Sequence, residues 1–190
     1  MQPQVLHELC QALTREFQRD PKGARAASLL AEYAKSQTDW REYSMFDAGG
    51  YTRNLVHHEP AYELLLLCWG PGQKSPIHNH QGQRCWMAVL EGEVVETLFE
   101  MPLDRAPLAQ KGEPRGLTRG GVAFITDEIA LHEIASGGGR AAVSLHLYSR
   151  PYSTCQVYDR ETGRVDLRQL GYTSVRGVRG AANVPVTGRT

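Results

Sequence analysis

The stretch Gly72–Gly92, GQKSPIHNHQGQRCWMAVLEG, decides how the chain is read, and it does so in two parts. Its second half, Cys85–Glu91, is a short apolar run stopped by Glu91-Gly92. That pair reads as a tight turn, so one strand leads directly into a second, Glu93–Glu100. Its first half sets His78 and His80 two residues apart. Side chains alternate along a strand, so two such imidazoles point the same way and can grip one metal ion. An H-x-H pair also arises by chance, and an ordinary pair of core or surface histidines reads the same way at this point.

The same texture runs outward from Gly49 in both directions. Short runs rich in β-branched, aromatic or leucine residues are separated by Gly, Pro, Asp and Ser clusters: Tyr51–His57, Ala61–Trp69, Gly121–Ile125, Leu131–Ala135, Ala141–Ser149 and Thr154–Asp159. Glu100–Gly120 reads as a loop with room for one short strand, and Asp159–Gly163 as the turn of a last hairpin. Before Gly49 the period changes. Leu6, Leu9, Cys10, Leu13 and Phe17 recur at helical steps, Asp20-Pro21-Lys22-Gly23 breaks the helix, and Leu29, Leu30, Tyr33 and Ala34 mark a second. Asp39 stands where it could cap a short third turn through Trp40. The expectation is an all-β sandwich or barrel, residues 46–170, with helices of residues 1–45 packed against it. Residues 171–190, with Arg176, Arg179 and Arg189 and no acid, read as a draped extension of the same single domain.

Composition narrows the function classes. The 190 residues carry 21 basic and 21 acidic side chains, so nothing in the net charge of zero favours a nucleic acid or an anionic membrane surface. The longest apolar run, Leu64–Trp69, is strand-sized rather than the ~20 residues of a membrane span. The start, MQPQVLHELCQ, lacks the basic head and apolar run of a secretory signal. Cys10, Cys68, Cys85 and Cys155 lie far apart without CxxC pairs, so a cytoplasmic protein with reduced thiols is expected.

The seven histidines carry the functional signal. His132 adds a third candidate ligand, and His146 and Tyr148 share a strand face by alternation. Several imidazoles turned into a barrel are hard to satisfy there without an ion. His7, His57 and His58 lack this context. The spacing of Gly72, His78, His80, Cys85 and Gly92 resembles the first metal motif of the cupin superfamily, with His132 matching the histidine of the second motif. Cys85 stands where that motif usually has a glutamate ligand. Three neutral imidazoles would leave a divalent ion its full charge, which favours an anionic, chelating substrate, and a thiolate suits a borderline metal such as Fe(II).

YTRNLV (Tyr51–Val56), LCWGPGQKSPIHNH (Leu67–His80), ETLFE (Glu96–Glu100), LHEI (Leu131–Ile134) and SLHLYSRPYSTC (Ser144–Cys155) together resemble the cysteine dioxygenase family of thiol dioxygenases, from about Asp39 to Gly163. The resemblance implies a jelly-roll cupin barrel holding Fe(II) through His78, His80 and His132, and conversion of L-cysteine and O2 to cysteine sulfinic acid. It implies that Arg53 pairs with the substrate carboxylate, with Tyr51, His146 and Tyr148 beside it, the last two steadying bound oxygen and carboxylate. It also places Cys85 at the position of a cysteine that some members join to the tyrosine, here Tyr148, by a thioether bond. The family's Ser-Pro-Pro after that tyrosine is Ser149-Arg150-Pro151 here, which puts the local bend in question. Relatives acting on 3-mercaptopropionate tend to carry glutamine at the position of Arg53, so Arg53 favours cysteine. A non-catalytic metal- or ligand-binding cupin and a three-histidine zinc site are the competing readings. A monomer is expected, with only small-molecule partners.

Overall fold

The computed structural model describes residues 5–102 and 106–180. The helical period at the start forms α1 (Val5–Arg19), whose face of Leu6, Leu9, Cys10, Leu13 and Phe17 is buried. Asp20 closes the break by accepting the amides of Lys22 and Ala24 at 2.9 and 3.0 Å, and α2 (Ala26–Ser36) follows. The expected third turn is a 3-10 helix, Asp39–Tyr43. Asp39 does not cap it. Its carboxylate instead accepts the Leu6 amide in the first turn of α1 and the Tyr33 hydroxyl, both at 2.7 Å, and so ties the three helices together.

The strands are β1 (Thr52–Glu59), β2 (Tyr62–Trp69), β3 (Ile77–His78), β4 (Arg84–Glu91), β5 (Glu93–Phe99), β6 (Arg115–Thr118) and β7 (Val122–Ile125). They continue with β8 (Leu131–Ser136), β9 (Ala142–Ser149), β10 (Thr154–Tyr158), β11 (Val165–Gln169), β12 (Ser174–Val175) and β13 (Val178–Arg179). One sheet runs β13-β12-β1-β2-β9-β4-β7 and the other β11-β10-β3-β8-β5-β6. All pairings are antiparallel except β1 with β12. Two mostly antiparallel sheets facing each other form the jelly-roll barrel of a cupin.

Strand alternation divides the core in two. Tyr62, Leu64, Leu66 and Cys68 of β2, Trp86, Ala88 and Leu90 of β4, and Val143, Leu145 and Leu147 of β9 face α1 and α2. Leu65, Leu67 and Trp69, with Cys85, Met87 and Val89 and with Tyr148, face the barrel interior. Every residue of β2 and β9 is therefore buried, on one side by the helices and on the other by the second sheet. Each large apolar side chain so enclosed contributes about 1.5–3 kcal/mol.

The chain after Gly171 departs from the expected extension. Through β12 and β13 it joins the seven-stranded sheet, β12 lying parallel to β1 with the Ser174 hydroxyl donating to Asn54 Oδ1 at 2.8 Å. Arg179 donates to the Phe46 carbonyl at 2.8 Å. The rest of that extension, from 181 on and including Arg189, lies outside the described residues. Within them, no helix is long and apolar enough to cross a membrane.

Between β4 and β5, Gly92 holds φ at +72°, and a Cβ there would lie 2.5 Å from the Ala141 carbonyl oxygen. Replacing Gly92 by Ala is expected to destabilise the fold by ~2–4 kcal/mol. Urea unfolding checks this, and a loss under about 1 kcal/mol would show that the turn relaxes freely.

Candidate active site

His78, His80 and His132 offer ligand nitrogens that all lie within 4.8 Å of one another. His78 ends β3 and faces His132 of β8 in register, their ring centroids 4.7 Å apart. His80 comes to the same side as His78, their ring centroids 5.1 Å apart, and the Asn79 amide between them still donates to the Gln156 carbonyl at 3.2 Å. A turn with Gln81 at φ +53° follows. Asp127 anchors that turn by accepting the amides of His80 and Gly82, both at 2.7 Å.

Each ring shows how its lone pair is left free. His78 donates Nδ1–H to the Pro76 carbonyl and His132 donates Nδ1–H to Glu96 Oε1, both at 2.9 Å, so Nε2 is the free acceptor on each. Both nitrogens of His80 are buried with no partner. Burial, reinforced by the neighbouring His132, pushes the His78 pKa down to about 3 and that of His80 well below the ordinary imidazole value. Uncharged imidazole nitrogens are what a metal requires. Three imidazoles converging, one of them wholly unsatisfied, fit a divalent transition ion and not an oxygen-seeking Mg2+ or Ca2+.

Above the cluster runs a hydrogen-bonded file on the inner face. Trp69 Nε1 donates to Ser144 Oγ, and Ser144 Oγ lies 2.8 Å from His146 Nε2. The serine oxygen keeps a second lone pair and its own proton for His146 Nε2, and His146 Nδ1 lies 3.3 Å from the Tyr148 hydroxyl oxygen. Burial holds His146 far below its usual pKa and Tyr148 far above, so both stay neutral.

Arg53 enters from β1 with its guanidinium 5.7 Å from the centre of the Tyr148 ring. Its Nε and Nη2 are buried without partners. Burial opposes its charge, while the neighbouring Glu63 carboxylate favours it, and the guanidinium stays cationic. Tyr51 stacks on Trp69 with centroids 4.7 Å apart and lines the wall. Cys85 lies opposite Tyr148 in the β4–β9 register, its thiol kept protonated chiefly by burial. The bend after Tyr148 is made without a cis peptide among the described residues. Arg150 takes φ +70° there, with its amide donating to the Ala61 carbonyl at 2.9 Å.

The family model for cysteine dioxygenase type I matches residues 1–161. The chain belongs to that family. Cysteine dioxygenase type 1 of Danio rerio is 36% identical over 185 residues, covering 94% of this chain and 91% of its own length. That of Homo sapiens is 35% identical over 182 residues, with the same coverage of 94% and 91%. Among solved structures, a protein of Thermus thermophilus is similar with a TM-score of 0.48 and 22% identity, over 60% of this chain and 96% of that one.

All eight residues singled out from the sequence thus lie at or around one chamber, while His7, His57 and His58 sit apart from the three-histidine cluster. Others at the chamber were missed. Tyr152, with its ring 5.1 Å from Tyr148 and 6.3 Å from His80, has no spacing that marks it. Trp69 reads as plain core, and Ser144 and Glu96 stood in quoted motifs without a role. Glu63 had a visible signal, as the one acid within the wholly buried β2. In a cysteine dioxygenase built this way, Glu96→Ala frees the His132 ring and is expected to weaken divalent-metal binding about 10–100-fold. Anaerobic calorimetric titration with Fe(II) measures it, and unchanged affinity would remove Glu96 from the metal's support.

Proposed function

We propose that the protein oxidises L-cysteine with O2 to cysteine sulfinic acid, at Fe(II) held by His78, His80 and His132. The observation that carries this reading is the placing of a three-nitrogen cluster and a buried, unpartnered guanidinium around one tyrosine. His80 and Tyr148 lie 6.0 Å apart between ring centres, and Arg53 lies over that same phenol. A site that merely stored a metal would have no use for the second element.

Fe(II), when bound, supplies the positions and the redox chemistry that bring a thiolate and O2 together. Four electrons leave sulfur and reduce both oxygen atoms, which end on the sulfinate, so no external reductant is needed. The chain's own residues bind and orient. Arg53 offers a planar two-pronged donor to the amino-acid carboxylate. Tyr148, kept protonated by burial, offers its hydroxyl toward that carboxylate and the incoming oxygen. Ser144 and Trp69 hold the His146 ring in place beside Tyr148, and Tyr51 closes the side wall. The enclosing barrel keeps bulk water from the sulfur. Fixing both reactants at one centre replaces a bimolecular encounter by an oriented one. A monomer in a reducing cytoplasm suits four separate buried thiols.

Iron-loaded protein is expected to consume O2 with cysteine and to place two heavy oxygens in the sulfinate when heavy-isotope O2 is supplied. Its kcat/KM should be greater for cysteine than for 3-mercaptopropionate, and Arg53→Ala should raise KM for cysteine about a hundredfold with a smaller change in kcat. Oxygen uptake and mass spectrometry read these out. No sulfinate from any small thiol would end the enzymatic reading.

The register of Cys85 with Tyr148 supports a thioether between them. Cysteine loses its S–H proton, the tyrosine ring loses a C–H hydrogen, and O2 takes the two hydrogens and two electrons. Intact mass is expected to fall by about two hydrogens after turnover in the native chain and to stay unchanged in Cys85→Ser. An unaltered native mass after many turnovers would exclude the bond.

A further inference from the structure

Across the chamber from the histidines, the inner row of β2 holds a carboxylate where its neighbours Leu65 and Leu67 are apolar. Glu63 is fully buried. Its Oε2 accepts the Tyr172 hydroxyl at 2.6 Å, a bond from the segment leading into β12. Its Oε1 has no partner and lies 3.9 Å from Nη2 of Arg53, too far for a hydrogen bond. The two orphaned ends, Oε1 on one side and Nε and Nη2 on the other, thus stop short of each other. Tyr172 holds the carboxylate on its far side, and so keeps it from closing that gap.

A buried charge with no counter-ion is costly, and breaking such a pair leaves the surviving charge uncompensated. Glu63 supplies the compensation while the pocket holds no substrate, without occupying the donors of Arg53. Any carboxylate that then takes those donors meets a second anion already beside the same guanidinium. Resting on the reading of Arg53 as the carboxylate site, we propose that Glu63, tethered by Tyr172, is an internal counter-anion that tempers how tightly Arg53 holds a carboxylate-bearing thiol. It is a specificity-determining residue: its effect falls on thiols with a carboxylate and not on thiols without one. Burial raises the Glu63 pKa, while Arg53 and Tyr172 pull it back toward the charged form.

The sign of the effect separates this role from a structural one. Removing the charge should cost the substrate-free protein stability and yet tighten carboxylate binding, because the incoming anion then relieves an uncompensated Arg53. The test is anaerobic calorimetric titration of the full iron-loaded chain with L-cysteine, 3-mercaptopropionate and 2-aminoethanethiol, beside a melting curve of the ligand-free protein. In Glu63→Gln the melting temperature should fall, and the Kd for both acids should fall about tenfold, with no tightening for 2-aminoethanethiol. Glu63→Leu, which continues the leucine row, should give the same pattern should the amide variant fold poorly. Tyr172→Phe should act oppositely, since the freed carboxylate closes on Arg53 and weakens both acids. Acid binding that is unchanged or weaker in both Glu63 variants, or a shift equal for all three thiols, would overturn the proposal. Because these titrations need no turnover, they decide the role of Glu63 separately from the oxygen-uptake assay, whose failure would sink the dioxygenase reading itself.

Discussion

Desolvation of the three imidazoles is the constraint on which the rest of the site depends. In water, His78 and His80 would share protons with solvent over the neutral pH range. Inside the barrel, burial and mutual repulsion keep them uncharged with lone pairs available. Burial also raises the cost of every polar atom left unpaired, by about 1–3 kcal/mol each. Among the described residues the buried unpaired side-chain atoms belong to His80, Arg53 and Glu63 alone, and all three face the same chamber. The interior pairs its other buried polar atoms, and the few left open belong to the metal cluster and to the Arg53–Glu63 pair.

The apolar layers make that arrangement sustainable. β2, β9 and β4 are enclosed on both faces, so their outward leucines, valine and aromatic residues give the burial energy that holds inward Glu63, Ser144 and His146 in place. α1 and α2 form the layer on which the outward faces of those strands pack. The segment after Gly171 acts from the other side. Its pairing with β1 fixes the strand that carries Arg53, since Thr173 N donates to the Arg53 carbonyl at 2.7 Å. Tyr172, one residue earlier, reaches into the chamber to Glu63. Backbone docking and side-chain anchoring therefore come from one short stretch.

Much of this was legible in the sequence where a local rule was enough. Eight strands were readable to within a residue or two, because alternation and Gly-, Asp- and Pro-rich turns act locally. β3 was not, since two residues beside Pro76 carry no period. The convergence of His78 and His80 was legible in their spacing, whereas the support of the turn after them by Asp127, distant in sequence, was not. Asp39 likewise had the composition of a local cap but serves a helix some thirty residues away. The β12–β13 hairpin escaped notice because an arginine-bearing tail shows no apolar pattern, and its docking rests on Asn54 and Ser174, two polar residues that meet only in the fold. Non-local pairing of this kind leaves no trace in spacing.

The corner after Tyr148 shows how a departure from family pattern can be absorbed. The chain must reverse at once, because Tyr152 has to return over the phenol of Tyr148 while Cys155 enters β10. With Arg150 in place of the first proline, the reversal is made by a left-handed residue rather than by a proline ring. For a side chain with a Cβ, that conformation costs on the order of 1 kcal/mol. The Arg150 amide, which proline would lack, offsets part of this by donating to the Ala61 carbonyl at the β1–β2 turn. The substitution thus exchanges a stiff ring for a hydrogen bond between two strand ends, and Ala61 is the neighbour of the strand that carries Glu63. The bend, the phenol and the buried carboxylate are in this way held by adjoining stretches of backbone.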